Sequence, residues 1–272
     1  MIIRDEGDTR HLIMQTDHAA LCGEFAKAWG APGFSPLVPL ASMAKACAEH
    51  DNGWYEWEQA PTLNERTGLP VAFYEIGVDD HCALYQRGIH RTHRDDAYAG
   101  LLVSRHLSRL YDLKNAHYSG RPVEQRNESE HEKVVRYLDE LAGQQRTMLA
   151  DLREADPDAP HLTDAAVLAN SNMLWFYDAL SLFMCMRPLR EYDFENVPTD
   201  DAGAVTSVRF APVDARTATL DPYPFTTTPS LACPMPARIL DPKATYDDEK
   251  AMQRAIAEVP PTTIEFVLRA LD

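Results

Sequence analysis

The chain has 272 residues and a formal net charge of −16, which repels nucleic acid and anionic membrane surfaces and leaves a small ligand at a locally positive site as the expected partner. Hydrophobic residues make up 45% of the sequence, enough for a large core that can enclose a deep pocket. The five widely spaced cysteines, without a basic leader or a long apolar run, predict reduced thiols in a cytoplasmic protein.

Two amphipathic helices are predicted first. Apolar residues at helical spacing indicate a helix over residues 15–29, and His18 falls on its inward face. A second helix is predicted within residues 36–51, with His50 and Asp51 in its last turn. Both helices therefore direct residues that can ligate a metal toward the interior.

A loop and two more helices are predicted next. Gly53 is placed to end the second helix in a left-handed conformation. Residues 54–74 are rich in aromatic residues and lack periodicity, which indicates an ordered loop that could form the wall of a pocket. Helices are predicted over residues 79–94 and 96–113, and His106 lies on the inward face of the second.

The remaining elements are two helices and several strands. A helix over residues 129–152 begins with a capping box and reads as scaffold, and a helix over 163–186 carries Asp178 in the middle of an apolar face. After Pro188, short β-prone runs predict a small antiparallel sheet with strands at 204–210, 215–220, 231–240 and 262–271 and a helix at 247–257. We therefore predict a mainly α fold, with a helical domain over residues 1–190 and a small C-terminal β-rich appendage over residues 191–272.

Four inward residues, His18, His50, Asp51 and Asp178, come from three separate helices. A lone histidine on an apolar helix face is more often a hydrogen-bonded core residue than a ligand. Several such groups together would leave buried charges unpaired unless they converge on a cation or on one another. The joint pattern therefore predicts a metal site.

The order His, His-Asp, Asp on successive helices resembles the HD-domain superfamily of metal-dependent phosphohydrolases. At a finer level, the chain is similar to the bacterial family called domain of unknown function 3891. The segments that carry this likeness are 15–19 (QTDHA), 50–54 (HDNGW), 101–106 (LLVSRH), 178–182 (DALSL) and 221–225 (DPYPF). The resemblance implies an HD-like helical bundle with His18, His50, Asp51 and Asp178 as metal ligands, but the family name carries no reaction.

HD proteins with two metals insert further histidines between the doublet and the final aspartate. The resemblance implies His81 and His106 as these additional ligands, with His90 as the alternative to His81. The other histidines neighbour polar residues, loops or a helix end, and they are predicted to lie at the surface: His11, His93, His117, His131 and His161.

One basic stretch stands out in this acidic chain, formed by Arg87, Arg91, Arg94, Arg105 and Arg109. Guanidinium groups bind phosphate or carboxylate with two hydrogen bonds, so the stretch could bind a small anionic substrate. The alternative is a solvated helix face that pairs with neighbouring aspartates. Arg105 is the preferred catalytic residue because it adjoins His106.

Two further groups have both a structural and a functional interpretation. Trp54, Tyr55 and Trp57 form either the apolar wall of a ligand site or ordinary core packing. Asn170 and Asn172 are near Asp178 in sequence and are candidate hydrogen-bond donors to it.

The leading hypothesis is a metal-dependent hydrolase that cleaves a small phosphate ester by means of a metal-bound hydroxide. One or two divalent ions (Mn, Fe, Co, Zn or Mg) are expected, and the resemblance implies that Asp51 bridges them if there are two. One alternative is a dinuclear iron oxygenase that acts on a small polar substrate. Another is a noncatalytic module for ligand sensing or protein interaction. Nucleotide cofactors and serine hydrolysis lack their sequence motifs here.

Overall fold

The computed structural model describes residues 1–111, 128–186 and 188–271. In this part of the chain the helices are α1 (Gln15–Ala28), α2 (Leu40–Glu49), α3 (Tyr55–Gln59), α4 (Val78–Asp95), α5 (Ala97–Leu110), α6 (Glu128–Ala155), α7 (Asp164–Met186) and α8 (Glu249–Glu258). The strands are β1 (Ile2–Asp5), β2 (Arg10–Ile13), β3 (Leu63–Asn64), β4 (Leu69–Pro70), β5 (Tyr192–Pro198), β6 (Val205–Pro212), β7 (Thr217–Asp221), β8 (Ser230–Leu240) and β9 (Thr262–Ala270).

Seven of these strands form one curled, half-barrel sheet in the order β1-β2-β8-β9-β7-β6-β5. All neighbours are antiparallel except β7 and β9, which run parallel. The N-terminal hairpin joins the C-terminal strands because β2 pairs with β8. The sheet therefore combines strands from both sides of the predicted boundary between residues 190 and 191.

The prediction of a mainly α, HD-like bundle with a small antiparallel β appendage is wrong. The described residues are about 52% helical and 21% strand, and the second sheet is the short β3–β4 hairpin. The sequence-based prediction missed β1 and β2 because each has four residues, too few for an alternating pattern to be distinguished from a loop. It also missed β5, which contains a bulge that interrupts the alternation.

The predicted helices agree with the structure to within a few residues, but Gly53 has a different role from the predicted one. It is not among the glycines with positive φ. A Cβ at this position would lie 2.0 Å from the carbonyl oxygen of Leu84, so glycine allows α4 to pass close to the chain that follows α2. Residues 54–74 contain α3 and the β3–β4 hairpin as well as loops.

Helices and sheet share a large hydrophobic core, and a smaller hydrophobic cluster lies between β2, β8 and α8. Helix α1 packs against α2, α7 and β8, and the rings of Phe25, Trp29, Tyr177 and Phe225 contact one another where the helices meet the sheet. The five cysteines are buried and free, which confirms the predicted thiols. Within the described residues, no helix is both long enough and apolar enough to cross a bilayer.

Candidate metal centre

Five ionisable side chains meet where α1, α2, α5 and α7 pack together. His18 comes from α1, His106 from α5 and Asp178 from α7, whereas His50 caps the end of α2 and Asp51 follows it. Each of these side chains is at most 5% exposed. His18, His50, Asp51 and Asp178 are the four ligands expected from the sequence, and His106 was expected as a ligand of a second ion.

The close crossing of α1 and α2 brings His18 to Asp51. Gly23 lies on α1 at the crossing, and a Cβ there would be 2.7 Å from the Cβ of Ala48 on α2. The backbone of α1 is also tied to α7, because the hydroxyl of Ser181 donates a hydrogen bond to the carbonyl oxygen of His18 over 3.2 Å. The position of the imidazole is therefore fixed by helix packing.

The distances within the cluster suit one shared cation. Nε2 of His18 lies 3.0 Å from Oδ2 of Asp51 and 3.9 Å from Oδ1 of Asp178. Nε2 of His50 lies 3.7 Å and 3.4 Å from the same two oxygens, and Nε2 of His106 lies 3.9 Å from Oδ2 of Asp178. Donors bound to one ion at about 2.1 Å, at tetrahedral or octahedral angles, are separated by about 3.0–3.5 Å. The longer of these nitrogen–oxygen distances would have to shorten by a few tenths of an ångström for a cation to be bound between them.

The tautomer of His50 leaves one ring nitrogen directed into the cluster. Nδ1 donates a hydrogen bond to the carbonyl oxygen of Cys47 over 2.8 Å. Nε2 is buried, and within the described part of the chain it makes no hydrogen bond. A histidine held by its Nδ1–H group in this way is a common metal ligand through Nε2.

The charges in the cluster favour a cation. Burial alone would lower the pKa of His50, but Asp51 and Asp178 raise it to about 9. Burial alone would raise the pKa of both carboxyl groups, yet the imidazoles facing them lower it. A proton on His50 thus balances part of the buried negative charge in the metal-free protein, and a divalent cation could replace that proton.

His106 remains neutral near pH 7. Burial lowers its pKa to about 4, with Asp178 opposing the shift and His50 adding to it. An uncharged imidazole keeps a lone pair available for a metal. The ligand atoms of His18, His50 and Asp51 lie within 4.8 Å of one another, as do those of His50, His106 and Asp178, and the two groups share His50.

Side chains that the sequence analysis did not single out hold Asp51 in place. The hydroxyl of Tyr85 donates to Oδ1 of Asp51 over 2.5 Å, and the side-chain amide of Gln15 donates to Oδ2 over 3.0 Å. Glu58 accepts a hydrogen bond from the backbone N–H of Gln15 over 2.6 Å and so fixes the start of α1. In a sequence, a tyrosine on the inward face of a helix is normally interpreted as a core residue. The one signal that could have identified Tyr85 is its position four residues after His81, on the same face of α4.

The other candidate histidines lie outside this cluster. His81 is half-buried, its Nδ1 is hydrogen-bonded to the hydroxyl of Tyr111 at 2.6 Å, and it belongs to neither group of close ligand atoms found in the described residues. His90 is exposed and bonds to Gln86. His11 is 4% exposed within β2, so its predicted surface position is wrong.

Three more histidines that were predicted to lie at the surface are within the described residues. His93, His131 and His161 are all half-buried. His117 lies outside the described residues. None of these three half-buried histidines belongs to a group of close ligand atoms in the described part of the chain.

Arg105, the predicted catalytic residue, lies apart from the ligand cluster, because consecutive residues on a helix point in different directions. Its Nε donates to the hydroxyl of Ser171 on α7 over 2.8 Å. The basic stretch is divided in the structure. Arg87 and Arg91 form ion pairs with Glu56 at the surface, which agrees with the interpretation of a solvated helix face. The expected partners were the aspartates near these arginines in the sequence.

The aromatic and amide candidates have structural contacts. Trp54 is 1% exposed and packs against Trp57, which favours the core-packing interpretation, whereas Tyr55 is 55% exposed. The side-chain amide of Asn170 donates to the carbonyl oxygen of Val38 and to the hydroxyl of Tyr98. Asn172 accepts a hydrogen bond from Arg109. Neither amide has a hydrogen bond with Asp178 among the described residues.

Comparison with known proteins assigns the chain to a family. No curated protein and no solved structure gives a significant match. The family described as "Protein of unknown function (DUF3891)" matches residues 1–242, which include all five clustered ligands and most of the sheet. The chain therefore belongs to the DUF3891 family.

Proposed function

We propose that the cluster of His18, His50, Asp51, His106 and Asp178 binds one divalent metal ion and that the protein hydrolyses a small phosphate ester there. The observation that carries this proposal is the position of Nε2 of His50, which is buried and faces a carboxylate oxygen of Asp178 at 3.4 Å and one of Asp51 at 3.7 Å. Two buried carboxylates that face one imidazole nitrogen are costly unless a proton or a metal cation lies beside them.

One ion accounts for the arrangement better than two. Oδ1 of Asp51, which would face a second ion if this carboxylate bridged a pair, accepts the hydrogen bond from Tyr85. His81, the expected ligand of a second ion, belongs to neither group of close ligand atoms among the described residues. His106 lies near Asp178, and the group of close ligand atoms that these two form with His50 shares His50 with the group of His18 and Asp51.

The mixture of three imidazoles and two carboxylates suits manganese, iron, cobalt or zinc. Magnesium fits less well because it prefers oxygen ligands and retains much of its water shell. When bound, the ion would supply a Lewis acid and lower the pKa of a water molecule. Tyr85 and Gln15 would keep Asp51 in position, and the Nδ1–H bond of His50 would keep Nε2 directed at the ion.

The proposed reaction rests on the order of the ligands along the chain. His18, then the His50–Asp51 doublet, then Asp178 resembles the ligand order of HD-type phosphohydrolases. The buried cluster is compatible with this chemistry, because a site that excludes water strengthens the interaction of a cation with phosphoryl oxygens. Two-iron oxygen chemistry has less support because His81 lies outside both groups of close ligand atoms found in the described residues.

The test begins with elemental analysis of protein purified without chelators or a histidine tag. Wild type is expected to contain about one equivalent of metal, and Asp178→Asn to contain little, because the amide cannot supply the same charge. His90→Gln is the matched control, since it removes an exposed histidine outside the cluster and should leave the metal content unchanged.

The metal-loaded protein is then assayed with a panel of small phosphate monoesters. Activity that depends on metal and is lost in Asp178→Asn would support hydrolysis. Full metal content in Asp178→Asn would contradict the assigned site. Iron as the dominant element, with oxygen consumption and no phosphate release, would favour the oxygenase, and metal-free wild type would favour the noncatalytic module.

A further inference from the structure

The metal centre is enclosed in this structure. Each of the five clustered side chains is at most 5% exposed. A cation or a substrate can therefore reach the cluster only after a neighbouring side chain has moved. Free space beside the cluster indicates which side chain can do so.

A cavity of about 620 Å³ lies between α5, α6 and α7, and pockets for small molecules have volumes of about 300–1,000 Å³. Arg109 from α5 and Ser171 from α7 are among its lining residues. The ligands His106 and Asp178 belong to the same two helices, one helical turn from Arg109 and two turns from Ser171. At a rise of about 1.5 Å per residue, the cavity and the cluster are about 10 Å apart along α7. The cavity therefore leads toward the cluster between α5 and α7.

Trp175 lies between the cavity and the cluster. It follows Ser171 by one turn and precedes Asp178 by one turn on the same face of α7. Its ring centre is 5.8 Å from that of His106 on the inner side and 4.6 Å from the guanidinium carbon of Arg109 on the outer side. The indole of Trp175 thus forms a layer between the two spaces.

Trp175 has room to move. It is 9% exposed, whereas each of the five ligands is at most 3% exposed as a whole residue. A tryptophan on a helix has two favourable χ1 rotamers, and a change between them moves the ring by several ångströms. The adjoining cavity can receive the ring, so this change needs no displacement of a helix.

We infer that the cavity is the entrance to the metal centre and that Trp175 is the gate between them. The gate is closed in this structure, because the indole packs against His106. When the ring turns into the cavity, the side of the cluster formed by His106 and Asp178 becomes accessible. The inference rests on the proposed function for what enters, namely a divalent cation and a small phosphate ester.

The test follows the access of a small reagent to His106 in the EDTA-treated protein at pH 7. Diethyl pyrocarbonate acylates neutral imidazoles, and peptide mapping by mass spectrometry gives the rate at each histidine. The open state of such a gate is populated at roughly 0.1–10%, so Trp175→Ala should accelerate the modification of His106 by at least about tenfold. The rate at His90 should not change, because this residue is exposed. Trp57→Ala is the matched control, since it removes an indole that packs on Trp54 outside the cavity lining.

A second pair of variants avoids any dependence on the folding of Trp175→Ala. Ala142 on α6 lines the cavity and is half-buried, so Ala142→Trp fills part of the entrance and should slow the modification of His106. Ala150→Trp is the matched control, because Ala150 is exposed on the same helix outside the lining. It should leave the rate at the wild-type level.

Metal exchange gives a second readout. Removal of the bound ion by EDTA and its uptake by the metal-free protein should both be faster in Trp175→Ala, with the equilibrium affinity for the metal unchanged. A gate affects both rates equally, whereas loss of a residue that supports the ligands would weaken the affinity. If wild type binds no metal, the proposed function fails, and the reaction of His106 still decides whether the gate exists.

The inference is overturned if His106 reacts at the same rate in wild type and in Trp175→Ala. It is also overturned if Trp57→Ala accelerates the reaction as much as Trp175→Ala does, or if Ala142→Trp reacts no more slowly than Ala150→Trp.

Discussion

Without metal, the stability of this protein should fall as the pH rises from about 6.5 to about 9. His50 is the cause, since Asp51 and Asp178 raise its pKa from 6.5 to about 9 in the folded state despite the opposing effect of burial. Between these values the folded protein binds a proton that the unfolded chain does not. The resulting stabilisation is fully present below pH 6.5 and is lost as the pH rises through 9.

The magnitude follows from the two pKa values. A difference between 6.5 and about 9 corresponds to about 3 kcal/mol in the free energy of unfolding. Solvent screening reduces this little, because the side chain of His50 is 0% exposed. The amount is a large fraction of the roughly 5–15 kcal/mol by which folded domains are stable.

Urea unfolding of the EDTA-treated protein at pH 6.0 and pH 9.5 measures the effect. Wild type should lose about 3 kcal/mol more than His50→Gln between the two pH values, and His90→Gln should follow wild type because its imidazole is exposed. Adding metal should remove the loss, since the ion replaces the proton and binds more tightly as the pH rises. An equal loss in wild type and His50→Gln would refute the electrostatic account of the cluster.

Three further changes test neighbouring features. Because the pKa of His106 is lowered to about 4, the metal-free protein should also lose stability as the pH falls from about 6.5 to 4. Acid titration followed by circular dichroism should show a smaller loss of stability in His106→Gln, and a profile identical to that of wild type would contradict this expectation. Tyr85→Phe removes the 2.5 Å hydrogen bond to Asp51 and should lower the free energy of unfolding in urea by about 1–3 kcal/mol, while the metal content is retained. Complete loss of metal in this variant would instead show that Tyr85 is essential for metal binding. Gly53→Ala places a Cβ 2.0 Å from the carbonyl oxygen of Leu84 and should destabilise the protein by at least about 1–3 kcal/mol in thermal unfolding. An unchanged midpoint temperature of unfolding would show that α4 can move away from the added methyl group.

The helices and the burial of most of the candidate ligands could be predicted from the sequence because each depends on local periodicity. His18, His106 and Asp178 lie on inward faces of long helices, and an ionisable group on such a face implies a buried partner. Burial alone does not decide which of these groups meet, and the expectation that His106 belongs with the others came from the resemblance in ligand order.

The sheet and the support of Asp51 could not be predicted in this way. Strands β1 and β2 become part of the sheet only through pairing with β8, and nothing within four residues signals a partner so far along the chain. His81 and Tyr85 are one helical turn apart on α4, and spacing cannot show that the hydroxyl rather than the imidazole reaches Asp51.

The pairing of β2 with β8 has a consequence for biosynthesis. Leu12 lies opposite Arg238, and α1, which carries His18, begins two residues after β2 ends. During translation the first ligand therefore leaves the ribosome long before the strand that anchors its helix. Contacts so distant in sequence form slowly, so we expect the site to assemble, and to acquire its metal, only after β8 has left the ribosome.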